Sequence, residues 1–293
     1  MNTCSKTDFL AKFSENELQS DENDFLNYLG ALIAGEEFIH SYAIEHKAWC
    51  KAHRSNTWSC NTLVDAKNKY WWHGFYAENA ATLEQLSFNL KQSIKNESEH
   101  DIFYHCVRTL EWGDVYKGCI SYVLDQYEAR TLRSSIREAV DILENTEYKV
   151  HLFSQSHLRM DSGLTKVFSL ASSKSTIMDS RVAAALTLIA CRFFTQEQLC
   201  SVKELYAFAC GKTSGKKPKR SQIRGENVFS PILQPKNQAH FNLVTNWILD
   251  AALVKAKQKN SDLYTTWKVS NDSELLRAVE ASLFMIGSDI TSG

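Results

Sequence analysis

The sequence predicts an all-α protein, and three observations carry the prediction. Only 3 prolines and 11 glycines interrupt 293 residues, so long helices are unobstructed. Apolar residues recur at helical spacing through most of the chain, while period-two alternation bounded by Gly, Pro and Asn turns is nearly absent. The composition is 44% apolar, enough for a substantial core. We expect residues 1–21 to form an acidic N-terminal arm and residues 22–293 one compact α-helical domain, with a division into two lobes left open.

Taken in order, the arm holds one amphipathic turn around Phe9, Leu10 and Phe13. Residues 24–53 support two helices interrupted near Gly35, the second placing Ile39, Tyr42 and Trp49 on one face, and the RSNTWSCN stretch reads as a connection. Residues 67–96 place Phe75, Leu83, Leu86, Leu90 and Ile94 along a long helix. Its aromatic start, YWWHGFY, can stack on a base, although a Trp pair there is more often a core or interface anchor. A helix over 101–111 ends at Trp112 and Gly113. Helices then cover 115–124 and 128–143, the latter with a charged, solvated face. Residues 148–154 read as an irregular lead into the centre of the chain. A helix over 195–209 follows, and two more, over 239–258 and 273–286, close the chain, the last capped by Asp272 or a neighbour.

The eight cysteines, at positions 4, 50, 60, 106, 119, 191, 200 and 210, form no Cys-x-x-Cys pair. Several fall on apolar helix positions, so they read as reduced core residues rather than metal ligands. No cofactor or metal is expected. The acidic start does not read as a signal peptide and no run is apolar enough to span a membrane, so the expectation is a cytoplasmic protein with no membrane partner. The net charge of −1 conceals an uneven distribution: Asp8, Glu15, Glu17, Asp21, Glu22 and Asp24 face only Lys6 and Lys12 near the start. Residues 211–237 hold all three prolines with Lys212, Lys216, Lys217, Lys219, Arg220 and Arg224. Such a loop either neutralises phosphates or is a solvated basic segment. GKTSGKKPKRS lacks the spacing of a nucleotide-binding phosphate loop and follows a helix rather than a strand, which excludes that class.

The chain is organised around residues 157–194, which read as two helices joined by a polar turn. In the first, Leu164, Val167, Phe168 and Ala171 form the buried stripe, and Ser162, Lys166, Ser169 and Ser173 fall opposite. Lys166 is therefore expected to face away from the core. In the second, Val182, Leu186, Ile189 and Phe193 form the stripe, and Ala183, Ala184, Ala185 and Ala190 allow close packing. Asp179 stands just before it, where a carboxylate can cap the helix and meet the positive end of its dipole. No Gly-x-Ser-x-Gly elbow, Cys/His nucleophile pair or helical His pair is visible.

The run TKVFSLASSKSTIMDSRVAAAL resembles a segment of the helix-hairpin-helix DNA glycosylase superfamily, in its 8-oxoguanine-DNA-glycosylase-like branch. There a Ser/Thr-Lys helix leads through a short turn to Asp-Ser-Arg-Val and an alanine-rich helix. Glu111-Trp112-Gly113 is similar to a Trp-Gly that those sequences carry at a helix end. The resemblance covers about a third of the chain. It implies an all-α, two-lobed protein with DNA as partner, which flips a modified base into a pocket and excises it.

Asp179 then matches the carboxylate that stabilises the developing sugar cation or orients the nucleophile. Lys166 is either a Schiff-base nucleophile or the structural lysine of the Ser/Thr-Lys motif. Trp112, Ser162, Gly163 and Arg181 become substrate-binding candidates, and Lys216, Lys217, Lys219, Arg220 and Arg224 phosphate contacts. The Gly-rich hairpin of the superfamily is reduced here to Gly163. A non-catalytic α-helical module on the same fold, binding DNA or a protein, is the alternative, with Asp179 as a cap and Arg181 as its ion-pair or phosphate partner.

Overall fold

A computed structural model describes residues 5–14, 24–115, 118–154, 157–204, 207–210, 219–226, 228–232 and 234–292. In chain order the described elements are α1 Lys6–Ser14, α2 Phe25–Ala34, β1 His40–Ala43, α3 Lys47–His53, β2 Thr57–Cys60, α4 Leu63–Asn68, α5 Tyr76–Lys95, α6 Glu99–Trp112, α7 Cys119–Glu128 and α8 Leu132–Glu144. A 3₁₀ turn at Val150–Ser154 follows, then α9 Leu164–Ala171, α10 Ser180–Phe193, α11 Gln196–Glu204, α12 Pro235–Lys259, α13 Leu263–Trp267 and α14 Asp272–Ile286. The described residues are mostly helical, as the sequence predicts, with 64% of them in helix and 6% in strand. None of the described helices is long and apolar enough to cross a membrane.

The chain divides into two compact units. The first comprises Met1–Asp8, Asn79–Asp179 and Leu233–Asn246. Its core forms where α6, α8 and α9 bury Ile102, Cys106, Leu110, Ile136, Ala139, Leu143, Leu164 and Phe168. At Ser98 the side chain accepts the Asp101 N–H and starts α6, the capping role in which Ser is favoured.

The second unit comprises Phe9–Glu78, Ser180–Ile232 and Trp247–Gly293. Asp24 caps α2 by accepting the Asn27 N–H at 2.6 Å, and Gly35 ends it at φ 115, a left-handed conformation that glycine adopts without a Cβ penalty. Within this unit Phe25 packs on Phe193, Phe194 and Phe208, and Phe9 on Trp247. Val182 to Ala190 of α10 are all buried. Its first turn lies so close to the end of α14 that a Cβ on Gly287 would overlap the Arg181 carbonyl.

Two expectations for this unit are corrected. Residues 40–43 and 57–60 form an antiparallel ribbon, with His40 opposite Cys60 and Tyr42 opposite Trp58, where the sequence reading placed a helix and a connection. Each strand has only two inward positions, too few for alternation to stand out. Pairing is decided by contacts distant in sequence: Tyr42 stacks on Trp58 at 4.9 Å between centroids and its hydroxyl donates to the Met285 carbonyl. Ile39 and Phe75, expected inward, are 59% and 49% exposed.

His40, buried in the ribbon with Nε2 2.9 Å from the Asp289 carbonyl oxygen, gives a pH prediction. Burial lowers its pKa, against a smaller opposing effect of that carbonyl. As pH falls, the unfolded chain therefore takes up the proton first. Stability is full above the unfolded value of about 6.5 and declines from there down toward the depressed folded value. His53 and His105 are lowered by burial too and act in the same direction. Melting temperature should fall between pH 7.5 and 5, and His40→Gln should reduce that slope; an unchanged slope assigns the dependence elsewhere.

Candidate functional site

The start of α9 is built on Asp161. Its Oδ1 accepts the N–H groups of Gly163 and Leu164, both at 2.9 Å, and its Oδ2 takes Arg159 Nε at 3.0 Å. A carboxylate there satisfies helix donors that have no internal partner. Gly163 has an ordinary φ of −83, so its need is space: a Cβ would overlap Cys119 Sγ and approach Asp161 Oδ1. The Cys119 thiol beside this carboxylate is pushed up to about 12, by burial first and then by the negative charge.

Lys166 corrects the sequence expectation. It is buried rather than turned to solvent, as is Ser169. All of α9 from Leu164 to Leu170 is buried, so its polar side faces protein as well. The aliphatic stem lies over Gly113, where a Cβ would overlap Lys166 Cδ, and Nζ donates to the Ser162 carbonyl oxygen at 3.0 Å. The Trp-Gly corner and the Ser-Gly-Leu-Thr-Lys stretch, some fifty residues apart, thus meet at one side chain. Trp112 is held by its indole N–H, which donates to Asn79 Oδ1 at 3.0 Å. Gly113→Ala should displace the lysine stem and cost roughly 1–3 kcal/mol, the usual range for overpacking. Urea unfolding measures it, and a loss under 0.5 kcal/mol would show that the stem can lie elsewhere.

Thr165, the neighbour of Lys166, ties α9 to the segment that ends at Asp179. Its hydroxyl oxygen accepts the Met178 N–H at 3.0 Å. The rest of that segment is anchored by polar side chains the sequence reading did not single out. Gln238, Asn242 and Asn246 lie one turn apart on α12, and all three are buried. Gln238 Nε2 donates to the Met178 carbonyl oxygen at 2.6 Å and Asn242 Nδ2 to the Thr176 carbonyl oxygen at 3.0 Å. Asn246 Oδ1 accepts both the Thr176 N–H at 2.9 Å and its hydroxyl at 2.8 Å. Its amide Nδ2 donates to the Leu143 carbonyl oxygen and to Ser175 Oγ.

The near end of the segment is fixed in the same way. Glu144 Oε1 accepts the Ser172 hydroxyl at 2.6 Å and the Ser173 N–H at 3.1 Å. Ser172 Oγ in turn accepts the N–H groups of Lys174 and Ser175. A signal existed: Gln-x-x-x-Asn-x-x-x-Asn set among Ala239, Phe241, Leu243, Val244 and Trp247 is a polar stripe at i, i+4 spacing, which needs partners when buried.

The ladder delivers Asp179, half-buried and immediately before α10, with its N–H donating to the Ile177 carbonyl oxygen at 3.1 Å. A carboxylate so placed stands beside the positive end of a helix dipole, on a segment whose own polar groups are taken up by partners. It can stabilise a neighbouring cation, hold a nucleophile or accept a proton.

The remaining candidates lie in the second unit. The Arg181 guanidinium carbon is 4.2 Å from the Phe284 ring centroid, 5.1 Å from Trp72 and 5.6 Å from Trp49. Lys219 pairs with Glu45 at 3.2 Å and Asp289 at 3.6 Å. Arg220 donates to Ser180 Oγ at 2.8 Å, and the Arg224 N–H donates to the Thr291 carbonyl oxygen. Lys212, Lys216 and Lys217 lie outside the described residues.

No protein-family model, curated protein or solved structure matches this chain.

Proposed function

We propose that this chain is a DNA-binding protein of DNA-glycosylase type, which flips a modified base out of the duplex and excises it using Asp179. The observation that carries the reading is the anchoring of residues 172–178 by Gln238, Asn242, Asn246 and Glu144. A polar segment tied at so many points presents the carboxylate that follows it with little freedom, and preorganised charge is what stabilises a developing cation. The meeting of Trp112-Gly113 with Lys166 supports the reading as well, since both motifs carry the resemblance. In this reaction water adds to the sugar carbon as the glycosidic bond breaks and the base leaves with the bonding electrons and a proton. Lys166, with its ammonium on the Ser162 carbonyl and its stem packed on Gly113, takes the structural role in this reading.

The alternative is a non-catalytic α-helical module that binds DNA or a protein, and one observation favours it. Lys166 is engaged inside the protein rather than presented to a substrate. Incubating the full chain with duplexes that each carry one modified base, then treating with alkali, separates the two readings. Base release from at least one duplex is expected, with no strand scission before alkali and no adduct trapped by borohydride. Binding of duplex without release from any lesion would favour the module. A trapped adduct that Lys166→Gln abolishes would make Lys166 the nucleophile.

A further inference from the structure

The second unit carries a surface that the glycosylase reading does not use. Four of the seven tryptophans, Trp49, Trp58, Trp247 and Trp267, are buried in the core. Trp71 and Trp72 are only half-buried, at the base of a tight turn closed by a Trp71–Phe75 bridge and a Trp72 N–H to Gly74 carbonyl bond of 2.9 Å. His73 sits at the tip with φ 55, exposed, its ring 4.7 Å from that of Trp72. Trp71 rests edge-to-face on Trp49 at 5.7 Å, and the exposed His46 lies 6.0 Å from it.

This aromatic surface borders a basic ridge. His46 is the N-cap of α3, directly before Lys47, and Lys51 follows Lys47 one turn on. Lys47, Lys51 and Arg54 are exposed, residues 46–54 contain no acid, and among the described residues no ion pair engages any of the three. The preceding Glu45 is neutralised by Lys219.

We propose that this surface binds single-stranded nucleic acid, with an unpaired base stacked on Trp71 and the flanking phosphates on Lys47 and Lys51. Charge complementarity identifies the occupant: an apolar partner would leave the cations unmatched, whereas a phosphate backbone satisfies them and supplies a π-face to the rings. Base stacking on aromatic side chains beside a basic track is how strands are held without sequence readout. A single strand is required because a duplex keeps its base faces stacked internally. The inference goes beyond the glycosylase reading and stands on this unit alone.

Fluorescence anisotropy of the full chain with a labelled twelve-nucleotide thymidine strand tests it, against an abasic strand of equal length. The wild-type chain should bind the thymidine strand more tightly than the abasic one. Trp71→Leu should weaken binding roughly ten- to hundred-fold and close the gap between the two ligands, while Trp71→Phe keeps most of the affinity. Lys47→Gln with Lys51→Gln should weaken both ligands, lowering the slope of log K against log salt by about 1.4. Equal wild-type affinity for the two strands, or no binding of either, overturns the proposal, and this comparison needs no variant to fold. Unchanged affinity in a folded Trp71→Leu chain overturns it too. The strand comparison contains no lesion and the excision assay no single strand, so failure here and failure of the excision reading are read separately.

Discussion

Asp179→Asn should lower the single-turnover rate of base excision by at least a hundred-fold, while duplex affinity holds or rises. An amide keeps the size and hydrogen-bond acceptor of the carboxylate but cannot balance a developing positive charge or accept a proton, and losses of this order follow removal of one preorganised electrostatic group. The same substitution should hardly touch the fold. Asn is nearly as good as Asp before a helix, so the cost is a fraction of the roughly 1 kcal/mol at stake in a cap. Asp179→Ala removes both charge and acceptor and serves as the control. If Asp179→Asn keeps full activity and only the Ala variant is impaired, in proportion to lost stability, then Asp179 is a cap and the proposed chemistry is wrong.

Asn246→Leu should be the most destabilising change at the ladder, at about 3–5 kcal/mol in denaturant unfolding. The leucine has similar volume but satisfies nothing. It strands the Thr176 N–H and hydroxyl and takes a donor from the Leu143 carbonyl and from Ser175 Oγ, all in the buried interior. Gln238→Met removes a single donor, to the Met178 carbonyl, and should cost about 1–2 kcal/mol. The pair also separates stability from positioning: Gln238→Met leaves a folded protein whose excision rate falls because the peptide before Asp179 is no longer held. A Gln238→Met protein with wild-type rate would mean that the remaining rungs suffice.

Much of this protein can be read from the order of its residues. The apolar stripe of α10, with Val182, Leu186 and Ile189, has helical spacing strong enough to announce a buried helix, and that helix is found. Asp179 precedes it in sequence, so its place at the helix start follows from local rules alone. Cys106 and Cys119 fall on apolar helix positions and are buried, as the sequence predicts for a core thiol, whereas Cys200, read the same way, is exposed.

Tertiary structure decided the rest, wherever a residue's environment is set by a partner distant in the chain. Lys166 lies on the polar side of its helix, and periodicity assigns that side to water. Only packing shows that Gly113 leaves room for its stem and Ser162 offers an acceptor for its ammonium. The ribbon of His40–Ala43 and Thr57–Cys60 is too short to reveal its period and is held by Tyr42 on Trp58 and Met285. Gln238, Asn242 and Asn246 find their partners only in the segment before Asp179, some sixty to seventy residues away in the chain. A sequence pattern records which side of an element is polar, but whether that side meets water or buried hydrogen-bonding groups depends on what the fold brings against it.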